Sequence, residues 1–139
     1  MNVLQVSYLD LQGKRFNGYD LLAALRSRGI NGKQAVFTKQ GDDADVFSVA
    51  RSPLDQRLHA AIHEAELRHS MNNLLFPWGR VLAATTEFEA ADVVHYHIIH
   101  NQMLSLLDLP PLFSAKPSVW TFHDPWPLTG HCVHPQECE

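Results

Sequence analysis

A three-layer α/β sandwich built on a mostly parallel sheet is the fold predicted for this chain, and three features of the sequence predict it. A strand, a helix and a second strand follow one another between Val3 and Thr38, close to the ~30 residues of a parallel crossover unit. Two further apolar, β-prone runs, Asp92 to Ile99 and Ser118 to Phe122, come later in the chain. Histidines gather at and just beyond those runs, where the carboxyl ends of parallel strands collect binding groups. With 139 residues, 45% hydrophobic and 19% charged, the chain has material for one core, so residues 1–139 read as a single domain.

The first strand is Val3 to Tyr8, apolar at Val3, Leu4 and Val6. Asn17 then offers a helix N-cap with Asp20 three residues on, Leu21, Leu22 and Leu25 share one face, and Gly29 ends the helix. Gln34 to Thr38 reads as the second strand and Asp45 to Ala50 as a short extended piece. Ser52, Pro53 and Asp55 supply a cap, a first helical residue and a capping-box acid, opening a helix that runs to about His69. His59 and His63, four apart, share a face of that helix, which reads as solvated. Pro77 and Gly79 interrupt Ser70 to Glu89, which reads as mixed loop and short helix. Met103 to about Leu107 is a short helix stopped by Pro110 and Pro111. Ser118 to Phe122 is a last buried strand, halted by the segment His123-Asp124-Pro125-Trp126-Pro127.

Eleven Lys and Arg against fifteen Asp and Glu leave a formal charge of −4, so no basic footprint for nucleic acid is present. The start, MNVLQVSYLD, lacks the pattern of a signal peptide, and no run is long enough for a transmembrane segment, which points to the cytoplasm. Cys132 and Cys138 sit too near the end to staple the fold. Of nine histidines, His95, His97, His100, His123, His131 and His134 fall in the final third, and that clustering marks a site.

Three strings from that third, ADVVHYHIIHN, KPSVWTFHD and PWPLTGHCVHPQEC, resemble the acceptor domain of family-four retaining glycosyltransferases of the GT-B fold. The resemblance implies a Rossmann-like N-terminal half of GT-B, in a parent enzyme that moves a sugar from a nucleotide-sugar to a saccharide or lipid-linked acceptor. It implies no cofactor beyond that nucleotide-sugar donor, which is a substrate held mainly by a C-terminal domain. No counterpart of that domain follows Glu139, so the chain is expected to be inactive alone. The cut interdomain face is expected to be exposed and apolar, a surface on which two copies can pair. A lipid acceptor would bring the protein to the inner face of the membrane.

A retaining transfer needs groups that aim an acceptor hydroxyl at the anomeric carbon, and neutral imidazoles suit that task near neutral pH. His95 and His97 lie two apart on a strand and so point to one face. By resemblance His97 takes the place of the family's active-site histidine, and His123, closing the next strand, matches a second, so both are expected to be catalytic. His95 is expected to bind substrate, with Asp124 to orient an imidazole or hold a hydroxyl. Asn17 and Gly18 are the only echo of the small residues that let family members approach donor phosphates, and Trp126 is either a stacking platform for a sugar or core.

No metal is expected, although His131, Cys132, His134 and Cys138 are ligand types at a spacing unlike a standard zinc finger. Two other readings compete. One is a stand-alone saccharide- or protein-binding module. The other is a metal-dependent hydrolase built on His95, His97, His123 and the tail.

Overall fold

The structure is a computed structural model, described here for residues 1–129. The predicted Cys/His tail, including Cys132 and Cys138, lies outside the described residues.

The elements run β1 (Asn2–Leu9), α1 (Tyr19–Arg26), β2 (Asn31–Thr38), β3 (Val46–Ser48), α2 (Pro53–Arg68), α3 (Trp78–Ala83), α4 (Thr86–Ala90), β4 (Val93–Tyr96), α5 (Leu109–Ala115), β5 (Ser118–Trp120) and α6 (Trp126–Thr129). The strands form one sheet in the order β3-β2-β1-β4-β5, and every pairing is parallel. The sheet is thus wholly parallel.

Alternation along the strands divides the core between two faces. On one face Leu4, Val6, Ala35, Phe37, Val94 and Tyr96 meet Trp78, Leu82, Phe88, Leu109 and Leu112 from α3, α4 and α5. On the other, Leu22 of α1 packs with Val36 and Val46, and Tyr19 lies against them. Helices therefore cover both faces, as a three-layer sandwich requires.

Local signals explain most boundaries. Ser52 and Asp55 exchange side-chain and backbone hydrogen bonds in a capping box, with Pro53 where a missing N–H costs nothing. The first helix closes in a Schellman arrangement: Ile30 N–H donates to Leu25 and Gly29 N–H to Arg26, with Gly29 at φ 69°. Its start differs from expectation. Gly18, at φ 84°, is the N-cap and makes no side-chain cap bond, while Asn17 Oδ1 accepts from Tyr19 N–H one residue further in. Of the three leucines, Leu22 alone is buried and Leu21 is exposed.

Four other expectations need correction. Met103 to Leu107 is not helical, because Leu104 is drawn into a bridge with Pro77. The helix begins after it, and Pro110 and Pro111 open it instead of stopping it, since the first-turn N–H groups they lack would have had no partner. The strand expected over Asp92 to Ile99 is paired only over Val93–Tyr96. The run Ser118 to Phe122 is an edge and not buried: pairing ends at Trp120, and Val119 and Phe122 are each 50% exposed.

The fourth correction concerns α2. His59 is buried, its ring 4.1 Å from Phe37 and its Nε2 2.9 Å from the Gln102 carbonyl. Neighbouring Glu66 is also buried, and its carboxylate accepts three backbone N–H groups, from Asn73 at 2.8 Å, Leu74 at 2.6 Å and Leu75 at 2.7 Å. Asn73 in turn donates to the His100 carbonyl at 2.7 Å and accepts from Gln102 N–H at 3.0 Å. A carboxylate on α2 thus holds the loop that positions residues 100–102. Glu66→Gln turns one of its oxygens into an NH2 facing donors, and is expected to cost ~2 kcal/mol. Urea denaturation measures the loss, and hydrogen exchange at residues 73–75 localises it; unchanged protection there would show the bonds are not made.

Candidate functional site

The chain leaves β1 toward β2 on one side and reaches β5 from β4 on the other, so the strand order reverses between β1 and β4. Loops diverge at such a point and open a crevice outside the carboxyl ends of the strands. Here it is flanked by residues 10–18 after β1 and by 97–108 after β4.

His97 extends β4, its N–H donating to the Val6 carbonyl at 3.0 Å, and it is 2% exposed. Its Nε2 lies 2.5 Å from Oε1 of Gln5, an atom that can only accept, so Nε2 carries the proton. Nδ1 is then an acceptor, and it faces Nε2 of half-buried His123 at 3.3 Å, which donates to it. His95, half-buried, has its ring 4.1 Å from that of His97 and its Nε2 2.7 Å from the Thr121 hydroxyl. Three expected site histidines are therefore brought onto one face.

Burial, reinforced by His95 and His123, pulls the His97 imidazolium down to about 3. Burial also lowers His95, with His123 adding to it, and lowers His123 against the opposing pull of Asp124. All three rings are neutral near neutral pH, the state in which one nitrogen donates and the other accepts.

The loop after β1 seals this arrangement. Gly18 lies so close to His97 that a Cβ there would overlap its Nε2 and stand 2.7 Å from Gln5 Oε1. Asn17 is buried and spends its side chain on its own loop, donating to the Asp10 and Gln12 carbonyls at 2.8 Å each. Asp10, fully buried, accepts from Gln40 and Gly41 N–H at 2.8 Å, tying this loop to the one after β2. Phe16, 55% exposed, sets its ring edge-on to His123 at 5.4 Å.

Asp124 and Trp126 sit elsewhere. Asp124 turns to His100, not His123, at 3.1 Å from its Nε2. Although the separation is that of an ion pair, burial lowers His100 more than Asp124 raises it, so the contact is a hydrogen bond from a neutral ring. Trp126, 5% exposed, stacks on His100 with ring centres 4.6 Å apart, and its backbone N–H donates to Asp124 Oδ1. The indole is thus packed against His100 while it also borders a cleft.

Beside the histidines lies a cleft of about 490 Å³ lined by Gln12, Gly13, Phe16, Ile98, Asn101 and Gln102 among others. A second of about 430 Å³ shares Asn72, His100, Asn101 and Gln102 with it and reaches Trp126. Their combined wall is mixed, with hydrogen-bonding side chains such as Gln12, Asn72, Asn101 and Gln102 set among apolar ones at the sheet's carboxyl edge. Another depression, at Asn2, Asn31 and Lys33, is at the amino ends of the strands, away from these groups. Among the described residues no set of three or more His, Cys, Asp or Glu side chains is arranged to hold a metal. Nor is any helix long and apolar enough to cross a membrane.

The chain is similar to a bacterial glycosyl transferase. That protein, from Escherichia coli K12, is provisionally named a colanic acid biosynthesis glycosyl transferase, WcaC, and is 28% identical over 90 residues. The match takes in 60% of this chain and 22% of WcaC, so the chain spans about a fifth of that relative. No family model matches the chain. No solved structure matches it either.

Gln5, Asp10, Glu66 and Asn73 carry no mark in the sequence analysis, and His100 is named there only as one of the clustered histidines. For His100 the clustering of histidines was the available signal; a Gln in mid-strand carries none, and Glu66 offered only an acid in the last turn of α2, set against the helix dipole.

Proposed function

We propose that this chain is the acceptor-binding, N-terminal half of a GT-B glycosyltransferase of the family-four retaining type, and that it does not turn over without a donor-binding domain. What carries the reading is the convergence of His97, His123 and the Gly18 loop at the switch point of a parallel sheet, together with the similarity to WcaC. A neutral imidazole can accept from a sugar hydroxyl and so aim its oxygen, which is the positioning that an acceptor site must supply. Half-buried His123 is the histidine placed to touch an acceptor; His97, enclosed by Gln5, Gly18 and His123, acts through it. His95 braces the pair from Thr121. The cleft beside them, with Gln12, Asn101 and Gln102 in its wall and Phe16 as an aromatic face, suits a saccharide or the head of a lipid-linked one, and exposed Phe16, Val119 and Phe122 suit a docked second domain. A donor phosphate has less support at Asn17 and Gly18, which are turned to their own loop and to His97.

The hydrolase reading loses ground because both ring nitrogens of His97 are committed, Nε2 to Gln5 and Nδ1 to His123, as is Nε2 of His95 to Thr121. Amide and imidazole NMR of the labelled chain tests the proposal. Oligosaccharides are expected to shift Gln12, Phe16, Asn101 and His123, while UDP-glucose and GDP-mannose leave them in place and no sugar is transferred. Stoichiometric zinc at the histidines, or saccharides that shift none of these residues, would overturn it.

A further inference from the structure

We infer that Gln5 is a positioning residue that sets which nitrogen of His123 is offered to an acceptor hydroxyl. The geometry and tautomers stand by themselves; the hydroxyl rests on the glycosyl-transfer reading above. Gln5 is 1% exposed in the middle of β1, and its Oε1 meets His97 Nε2. An amide oxygen has no proton to give, so the contact holds only while His97 is protonated on Nε2. That places a lone pair on Nδ1 opposite His123 Nε2, and the contact there holds only while His123 donates. The neutral His123 ring then has one nitrogen left, Nδ1, and it is a bare acceptor.

Two features keep the chain of bonds from turning over. Gly18 packs over the first bond, closing off His97 Nε2 and Gln5 Oε1. The other histidine on the face, His95, bonds Thr121 through Nε2 and leaves the His97–His123 contact undisturbed. With the opposite tautomers, His97 Nε2 and Gln5 Oε1 would face each other as two buried acceptors, an arrangement that burial penalises. The consequence reaches from a strand interior to the half-buried ring of His123: a glutamine that touches no substrate determines that His123 receives a hydroxyl proton in its hydrogen bond instead of offering one.

Long-range ¹H–¹⁵N correlation of the histidine side chains, on the wild-type chain at pH 7.5, reads the tautomers directly. His97 and His123 are both expected as Nε2–H with Nδ1 bare. In Gln5→Leu both rings are expected to move to averaged nitrogen shifts, and in Gln5→Glu, which keeps an acceptor, to return to Nε2–H. A proton on Nδ1 of either ring in the wild type, as an inverted Gln5 amide would require, overturns the inference even if no variant folds. So does a Gln5→Leu protein with unchanged tautomers. If the tautomers are as stated but no saccharide shifts His123, the glycosyl-transfer reading fails and the role of Gln5 stands.

Discussion

Gly18→Ala is expected to lower stability by about 3 kcal/mol and to break the His97–Gln5 contact. Two costs combine at this position. A Cβ at φ 84° is disfavoured by roughly 1–2 kcal/mol, and the same Cβ would overlap His97 and crowd Gln5 Oε1, displacing a buried hydrogen bond worth another ~1–3 kcal/mol. Gly29 separates the two costs, since it has φ 69° but nothing within 4 Å of an added Cβ. Gly29→Ala should therefore lose only ~1 kcal/mol and leave the histidine spectrum untouched. Urea denaturation of both variants, with imidazole NMR, makes the comparison. Equal losses would mean that Gly18 serves the backbone alone and not the site.

Acidification is expected to weaken the fold well above the pH at which carboxylates titrate. Histidines at 59, 95, 97, 100 and 123 are all lowered, with burial the leading cause. In the unfolded chain they take up protons near pH ~6.5, which the native rings refuse, so stability is greatest above that value and falls as pH drops. For His97 the loss continues down to about 3. Between pH 7.5 and 5.0 this ring alone should account for on the order of 2 kcal/mol. Asp43 and Asp55, lowered by bonds to Arg26 and Ser52, add losses only below the ordinary carboxylate range of about 4. Denaturation at the two pH values measures the difference, and His97→Gln should shrink it. A flat profile would mean that the rings are not held neutral.

The legible parts of the fold were those whose signals are local. Ser52-Pro53-x-Asp55 opens α2 because the cap bonds involve residues three apart, and Gly29 ends α1 because its positive φ is a property of one residue. Where a distant partner decides, local reading failed. Leu104 is held by Pro77, and His59 is buried by Phe37 from another layer. Pro110 and Pro111 have the same local chemistry whether they stop one helix or start the next.

The site divides along the same line. From the sequence alone came the wholly local facts: a strand that turns His95 and His97 to one face, a histidine after the next strand, and a glycine before the first helix. From the tertiary structure alone came their connection. Ring contacts between residues 26 apart depend on β4 and β5 being neighbours in the sheet, and a hydrogen bond between residues 92 apart on β1 and β4 being neighbours. Strand order is set by how all the helices bury their apolar faces together, and no short segment encodes that. Hence His97 and His123 could be named in advance, while Gln5, which gives them their tautomers, could not.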